Sequence, residues 1–198
     1  MNYKLLVKNY NIEKLIKDYE IAEKLHGFIN PEKYNGKSFS ISNKTFGWEA
    51  IPLNSIDGTI GNNATIPNYT NEIYNYVPNV ILLKCKYISK ILNDLNTDIY
   101  LVRLMKLKSG GYIYPHIDEI ITNKNIIRCQ IPIKTNNDIK FIIDNEEVNL
   151  ESGNLYFINA GNKIHSVKNN SNSDRISIVI DLKPNEYINN LLKINLND

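Results

Sequence analysis

The sequence has few cysteines and no large excess of positive charge, so it lacks the marks of several specialised classes of protein. Its 198 residues include only two cysteines, Cys85 and Cys129, which lie far apart and match no CxxC or zinc-ligand spacing. We therefore expect free, buried thiols, and neither a disulfide framework nor a structural zinc site. The 23 lysines and arginines nearly balance the 21 aspartates and glutamates. The chain thus lacks the basic footprint of a nucleic-acid-binding protein.

Long hydrophobic runs are also absent. No window approaches the ~18 uninterrupted apolar residues that a membrane-spanning helix needs. Near the N-terminus, Lys8, Glu13 and Lys17 interrupt any signal-peptide core. The sequence therefore predicts a soluble, cytoplasmic protein with no membrane or nucleic-acid partner, and it leaves the oligomeric state open. A hydrophobic fraction of 42% and a charged fraction of 22% are typical of a globular domain.

Two helices are predicted in the first half of the chain. Apolar residues recur at helical spacing over residues 9–26, where Asn9 or Asn11 can cap the N-terminus and Gly27 can end the helix. A second apolar stripe predicts a helix over Pro78–Leu95. Both stripes indicate helices that pack one face against a core.

The segment between these helices, residues 28–78, is rich in Asn, Gly, Pro and Ser. It contains short pieces of extended character at Ser38–Ile41 and Trp48–Pro52. Its apolar and aromatic content is too high for a linker, so we expect irregular structure that covers another part of the protein.

Short runs rich in Ile, Val, Tyr and Phe dominate the chain after Asn96. Turn-forming residues separate these runs, and a short helix is predicted near Pro184–Leu192. Six or more strands at this spacing indicate an antiparallel sandwich or barrel. The predicted strands are Ile99–Leu107, Ile126–Ile133, Ile139–Ile143, Asn154–Ile158, Lys163–Lys168 and Arg175–Leu182.

Two of the three histidines fall among these strands and suggest a metal site. His116 and Asp118 lie two residues apart, so in an extended segment both side chains project to the same side. His165 begins a later strand and can add a third ligand from the opposite sheet. Two histidines and one carboxylate on one face of a metal suit non-haem Fe(II). Taken singly, a His-x-Asp pair also fits a solvated turn, and a strand histidine also fits simple packing.

Two arginines lie where a charge needs a partner. Arg175 follows His165 by ten residues. A hairpin of that length would bring Arg175 back beside His165, so that it can point into the cavity that His165 lines. Its guanidinium can bind a carboxylate ligand, or it can pair with Asp174 or Asp181. Arg128 lies inside an apolar strand and needs an anion or the solvent face.

Seven segments in a fixed order resemble the aspartyl/asparaginyl β-hydroxylase family of Fe(II)/2-oxoglutarate-dependent dioxygenases. Together they cover about two-thirds of the chain, from Trp48 to Leu182. The matching segments are WEAIPLNS from Trp48, RLMKLKSGG from Arg103, PHID from Pro115, RCQIPI from Arg128, GNLYFIN from Gly153, HSVKN from His165 and RISIVID from Arg175.

The resemblance implies a mainly β fold with N-terminal helices around a double-stranded β-helix, the jelly-roll or cupin-like core. It divides a single domain, 1–198, into N-terminal helices and covering segment over 1–96, the catalytic core over 97–183 and a C-terminal helix or tail over 184–198. The cofactors it implies are Fe(II), 2-oxoglutarate as cosubstrate and O₂. The substrate it implies is a small-molecule amino acid or a peptide.

Site residues carry over from the family one by one. The resemblance implies that His116, Asp118 and His165 bind the metal and that Arg175 binds the far carboxylate of 2-oxoglutarate. Arg128 matches an arginine that meets the substrate or cosubstrate carboxylate. Gln130 stands where relatives commonly have a second histidine.

The favoured reaction is hydroxylation of an Asp or Asn β-carbon, coupled to decarboxylation of 2-oxoglutarate to succinate. Animal members that hydroxylate EGF-like domains lack the metal carboxylate, whereas Asp118 is present here. The chain therefore resembles the smaller bacterial type rather than the enzymes of EGF-like domains. The alternatives are the same chemistry on proline or another small amino acid, desaturation or cyclisation, and a non-catalytic jelly-roll binding module.

Overall fold

A computed structural model describes residues 1–30, 45–69, 75–122 and 125–193. Ten strands, three α-helices and two short 3₁₀ turns make up this part of the chain. In chain order the elements are β1 (Tyr3–Val7), α1 (Ile12–Leu25), β2 (Thr45–Ile56), β3 (Tyr76–Pro78), α2 (Lys86–Asp94), β4 (Ile99–His116), β5 (Ile127–Lys134), β6 (Ile139–Ile143), β7 (Glu146–Val148), β8 (Leu155–Ile158), β9 (His165–Asn169), β10 (Arg175–Leu182) and α3 (Glu186–Lys193).

The strands form one curled antiparallel sheet in the order β1-β8-β5-β10-β4-β9-β6-β7, with β2 added to β4 and β3 added to β2. Strand β4 has 18 residues and joins the two halves of this curl. Its first half pairs with β10 and β2, and its last residues pair with β9. This is the mainly β, jelly-roll core that the sequence predicts.

A glycine pair marks the point where β4 passes from one half of the sheet to the other. Gly110 has φ +71°, a left-handed conformation that a residue with a Cβ rarely adopts. A Cβ on Gly111 would lie 2.8 Å from the carbonyl oxygens of Lys108 and Phe46. The crossing therefore depends on two residues without side chains.

The two faces of the sheet bury different kinds of residue, as β10 shows by strict alternation. Its isoleucines at 176, 178 and 180 pack in a core that also contains apolar residues of α1, α2 and α3. The alternate residues face the inside of the curl, where a second apolar cluster lies. These inner residues are Arg175, Ser177, Val179 and Asp181. Charged residues on a fully buried strand face thus mark the position of the site.

The first helix is close to its predicted bounds, and Asn11 is its N-cap. The Asn11 side-chain oxygen accepts a hydrogen bond from the backbone N–H of Lys14 at 2.9 Å. The second helix begins at Lys86 rather than Pro78. Asn79 accepts hydrogen bonds from the N–H groups of Ile81 and Leu82 and starts a separate 3₁₀ turn there. That local capping interrupts the predicted helix.

Two strands keep their predicted bounds, and others differ. Strands β6 and β10 are those predicted, whereas β4 continues nine residues past its predicted end at Leu107. The extended piece expected at Trp48–Pro52 is confirmed as part of β2. The irregular structure expected around it is wrong over the rest of β2, because this strand pairs along β4. Strands β1, β3 and β7 were not predicted. The extended piece expected at Ser38–Ile41 lies outside the described residues.

The hairpin predicted between His165 and Arg175 is also wrong. Strand β9 pairs with β4 and β6, and β10 pairs with β4 and β5, so the two strands are not partners of each other. Both lie on the edge of β4 that β2 leaves free, β10 beside residues 99–107 and β9 beside residues 112–116. The ten-residue spacing therefore connects two positions that follow one another along the same edge of β4.

Both cysteines are buried and free, as predicted. Among the described helices, none combines the length and the apolar character that crossing a bilayer requires.

Candidate active site

Three possible metal ligands meet where β4 ends. His116 is the last residue of β4, Asp118 follows two residues later, and His165 is the first residue of β9. One ligand atom from each side chain lies within 4.8 Å of the other two. His165 pairs directly with His116 in the same sheet, rather than facing it from the opposite sheet as predicted. Neighbouring strands, and not facing sheets, bring the two imidazoles together.

Backbone carbonyls fix the tautomer of both imidazoles. Nδ1 of His116 lies 2.8 Å from the carbonyl oxygen of Tyr114, and Nδ1 of His165 lies 3.3 Å from that of Lys163. A carbonyl oxygen only accepts, so each Nδ1 carries the proton and donates it. This leaves the lone pair of each neutral imidazole on Nε2.

Both Nε2 atoms face the carboxylate of Asp118. His116 Nε2 lies 3.5 Å from Oδ1, and His165 Nε2 lies 3.5 Å from Oδ2. Burial lowers the pKa of His165 to about 4, so this ring is neutral near pH 7. Burial also disfavours the charged form of His116, but the hydrogen bond and charge of Asp118 outweigh it and raise its pKa. A cation is the group that would make this arrangement of acceptors favourable.

Arg128 keeps Asp118 ionised. Burial alone would raise the pKa of Asp118, but the Arg128 guanidinium and the two imidazoles outweigh burial and hold that pKa well below its ordinary value. Arg128 Nη1 donates directly to Asp118 Oδ2. Asp118 is therefore a buried carboxylate in its charged, metal-binding form.

A second buried carboxylate holds Arg128 from the other side. Arg128 donates from Nε to Asp181 Oδ1 and from Nη2 to Asp181 Oδ2, both at 2.7 Å. The Tyr69 hydroxyl donates to the same Oδ2 at 2.7 Å. Bidentate pairing fixes the plane of the guanidinium and hence its direction toward Asp118. The anionic partners expected for Arg128 are thus two aspartates, Asp118 and Asp181.

Arg175 pairs with no acid in the part of the chain that the structure describes. Its guanidinium is 5% exposed, donates to Gln130 Oε1 at 3.1 Å and lies over the Phe141 ring at 5.8 Å. Burial is the cause that lowers its pKa, to about 10. Neither predicted acid pairs with it, because Asp181 is held by Arg128 and Asp174 accepts from the backbone N–H of Ser109.

The ring of Phe141 connects Arg175 to the histidines. The Arg175 guanidinium lies over one part of this ring, and the His165 imidazole packs against it at 6.4 Å between ring centres. Arg175 therefore borders the same inner space as His165.

Three buried side-chain atoms lack any hydrogen-bond partner among the described residues. They are Trp48 Nε1, Arg103 Nε and Ser177 Oγ. All three side chains face the inside of the curl. Residues one or three positions away along the same strands project to the opposite face and lie in the helix-covered core. Unpaired polar atoms confined to one face indicate that a polar ligand belongs there.

Sequence reasoning missed Asp181, Tyr69 and Arg103 as members of the site. Asp181 was considered only as a partner for Arg175. Arg103 lies inside an apolar strand, as Arg128 does, and the same argument applied to it would have found it. Tyr69 carries no comparable signal, because it comes from a segment without periodicity.

Comparisons with known proteins identify the family. A sequence model of aspartyl/asparaginyl β-hydroxylase matches residues 11–184. No protein of curated function matches the sequence significantly.

Among solved structures, a prolyl-4-hydroxylase from Pseudomonas putida has 8% identity over 93% of each chain, with a TM-score of 0.56. The viral collagen prolyl hydroxylase of Paramecium Bursaria Chlorella virus-1 has 11% identity over 93% of this chain and 97% of its own, with a TM-score of 0.52. An oxidoreductase of the 2OG-Fe(II) oxygenase family from Burkholderia pseudomallei has 11% identity over 69% and 68%, with a TM-score of 0.50.

These structural likenesses support the fold, and the family match covers both the fold and the site segments. The chain therefore belongs to the aspartyl/asparaginyl β-hydroxylase family of Fe(II)/2-oxoglutarate-dependent dioxygenases, as its motifs predict.

Proposed function

We propose that His116, Asp118 and His165 bind Fe(II), that Arg175 binds the far carboxylate of 2-oxoglutarate, and that the enzyme hydroxylates an amino acid or an amino-acid residue in a peptide. The favoured position is the β-carbon of Asp or Asn. In the balanced reaction one oxygen atom of O₂ enters the substrate C–H bond. The other enters succinate as 2-oxoglutarate loses CO₂.

The three ligands fit Fe(II) by their chemistry. Two neutral Nε2 lone pairs and one carboxylate form the two-histidine, one-carboxylate set that non-haem Fe(II) takes while positions stay open for other ligands. A divalent ion bound between these atoms would also offset the repulsion between the two Nε2 lone pairs and the Asp118 carboxylate.

The observation that carries the cosubstrate assignment is that Arg175 is buried and its guanidinium contacts no acid among residues 1–30, 45–69, 75–122 and 125–193. A buried charge without a counter-ion is costly, so the folded chain is expected to bind an anion there. Ser177 lies two residues along the same strand face, and its Oγ lacks a partner among the described residues. A guanidinium and a hydroxyl together suit a carboxylate.

The chain's own residues position the reactants. Arg128 and Asp181 fix the carboxylate of Asp118, and the carbonyls of Tyr114 and Lys163 fix the two imidazoles. Positioning of Asp118 is thus the role that its contacts support for Arg128. Gln130 orients Arg175 through its Oε1. When bound, Fe(II) and 2-oxoglutarate supply the oxidising power for the C–H bond.

Proline is the second candidate substrate. Two of the solved structures with a similar fold are prolyl hydroxylases by name. Gln130 stands where relatives commonly have a histidine. Because its side chain binds Arg175 rather than facing the space for a substrate, it is compatible with either substrate. A non-catalytic binding module is less well supported, since such a protein would have no reason to keep all three possible metal ligands beside a buried arginine whose described partner is the neutral Gln130.

The test is cosubstrate turnover by the purified protein. We expect succinate to form from 2-oxoglutarate only with Fe(II) and O₂, and to form faster with a substrate among free Asp, Asn and Pro or peptides containing them. Mass spectrometry should find one added oxygen atom in the product. A folded protein that binds neither Fe(II) nor 2-oxoglutarate would contradict the proposal.

A further inference from the structure

Arg103 is a second buried arginine that pairs with no acid among the described residues. It is 5% exposed, its Nη1 donates to the carbonyl oxygen of Thr65, and its Nε has no partner among the described residues. The guanidinium lies over the ring of Trp48 at 5.6 Å. Nε1 of Trp48 is buried and also lacks a described partner.

Both of these unpaired atoms are obligatory donors. An indole N–H and a guanidinium N–H can only donate, so neither can satisfy the other. Two donors held together by ring stacking require an acceptor, and the described part of the chain supplies none to Arg103 Nε or Trp48 Nε1. A carboxylate has two oxygens that can accept from both.

The nearby acids are already engaged. Asp181 accepts from Arg128 and Tyr69, and Asp118 accepts from Arg128. The pKa of Arg103 lies below its ordinary value, chiefly because burial disfavours its charge and next because Arg128 repels it, although Asp181 and Asp118 act in the opposite sense. Arg103 therefore borders the charged cluster without being neutralised by it.

The charge balance of the inner face points the same way. Three buried arginines, at 103, 128 and 175, stand against two buried aspartates, at 118 and 181. Fe(II) adds two positive charges and 2-oxoglutarate two negative ones, so one positive charge remains. Arg128 takes the two aspartates and Arg175 suits 2-oxoglutarate, which leaves Arg103 as the cation that lacks an anion.

The register separates Arg103 from the cosubstrate arginine. Arg103 faces Val179 on β10, and Val179 is four residues from Arg175 on the same strand face. Four residues of a strand span roughly 13 Å. Arg103 of β4 lies opposite Pro52 of β2 on its other side. Val179 in turn lies opposite Gln130 of β5.

Trp48 faces Leu107 from one side of β4 and Arg175 faces it from the other, so these two residues lie two strand spacings, roughly 10 Å, apart across the sheet. The donor pair is therefore displaced from Arg175 across the sheet and, at Arg103, along it as well.

We propose that Arg103 and Trp48 bind a carboxylate of the substrate, with Arg103 supplying the charge and Trp48 Nε1 a second hydrogen bond. The inference rests on the proposed function, because it assumes that Arg175 takes the cosubstrate. The carboxylate comes either from the α-carboxylate of a free amino acid or from the side chain of a peptidyl aspartate. Both sources offer the same group to the donor pair.

The experiment measures binding without turnover. Protein loaded with Mn(II) and 2-oxoglutarate is titrated calorimetrically with free L-aspartate, L-asparagine and L-proline, with their α-amides, and with N-acetyl-aspartate α-methylamide. A free amino acid that binds while its α-amide does not identifies the α-carboxylate. Binding of the blocked aspartate derivative identifies the side-chain carboxylate.

Arg103→Met should weaken the carboxylate probe by at least about tenfold, because a charge-assisted hydrogen bond is lost. Trp48→Phe, which keeps the ring and removes the N–H, should weaken it by about fivefold. Arg103→Lys keeps a cation without the fork and should fall between wild type and Arg103→Met. The control is Lys108→Met, which removes an exposed cation of the same strand that pairs with Glu49.

Affinity for 2-oxoglutarate, measured in the same proteins, separates the two proposals. It should be unchanged by Arg103→Met and reduced in Arg175→Met. Equal binding of acid and amide, unchanged affinity in Arg103→Met, or no binding by any carboxylate would overturn the substrate assignment and leave the cosubstrate site intact. Failure of 2-oxoglutarate to bind wild type would instead overturn the proposed function.

Discussion

Asp118 accepts a hydrogen bond from Arg128 while both side chains are buried, at 9% and 5% exposure. A carboxylate that faces two imidazoles and also holds a guanidinium has its position and its charge fixed before any ligand arrives. The unfavourable burial of these charges is offset by their mutual hydrogen bonds. Asp118 and Arg128 thus form a preorganised part of the site rather than one that a metal must assemble.

Loss of a histidine should abolish metal binding without unfolding the protein. His165→Ala removes one of three ligands, and we expect Mn(II) affinity measured calorimetrically to fall by at least about 100-fold. His26→Ala is the matched control, because His26 contacts the carbonyl oxygens of Gly27 and Ile60 outside the cluster. Retained Mn(II) affinity in a folded His165→Ala protein would remove His165 from the ligand set.

Replacement of Arg175 should affect 2-oxoglutarate rather than the metal. Arg175→Met removes the only charge proposed to face the far carboxylate, so the dissociation constant for 2-oxoglutarate should rise about 10- to 100-fold. The Mn(II) affinity should stay within about twofold of wild type. Calorimetric titrations with each ligand in turn would show this. A 2-oxoglutarate affinity equal to that of wild type would move the cosubstrate carboxylate to another cation.

Asp181 should influence the metal although it is not proposed as a ligand. Asp181→Asn leaves the Arg128 guanidinium with Asp118 as its one anionic partner, so Arg128 draws more strongly on that carboxylate. We expect Mn(II) affinity to fall by about 10-fold, the lower range for a residue that orients a ligand. Tyr69→Phe removes one hydrogen bond to Asp181 and should have a smaller effect in the same direction. An unchanged affinity in Asp181→Asn would show that Arg128 needs no second anion.

The glycine pair in β4 should be intolerant of side chains. Gly111→Ala places a Cβ 2.8 Å from two carbonyl oxygens, so the backbone must shift, and the free energy of unfolding should fall by about 2 kcal/mol. Urea denaturation would measure the loss. Gly61→Ala is the control, because a Cβ there meets no atom within 4 Å. Equal stability of the two variants would mean that β4 adjusts at no cost.

The strands of the second half of the chain could be predicted because each is short, β-branched and bounded by turn residues. β10 is the clearest case, since Ile176, Ile178 and Ile180 alternate with a second set of residues, three of which are polar, along its eight positions. The proximity of His116 and Asp118 could be predicted for a similar reason, because a His-x-Asp pair needs only local geometry to converge.

Pairing between distant strands could not be predicted from local patterns. Nothing near Gly110 shows that β4 continues through it to His116, because glycines also end strands. The position of β9 and β10 one after the other along the same edge of β4 depends on which strands are adjacent, and spacing along the chain does not encode this. The same limit hid Arg103, whose lack of a partner is visible only once Asp181 is seen to be occupied by Arg128.

The pairing of β1 with β8 joins residues about 150 positions apart, and α3 returns to the same edge, where Lys4 donates to the carbonyl oxygen of Leu192. Strand β1 therefore cannot pair until β8, about 150 residues later in the chain, has been synthesised. Closing such a long loop costs entropy before any contact offsets it, so this pairing should form slowly. Until it forms, the apolar residues of β1 lack their partner strand and can make non-native contacts.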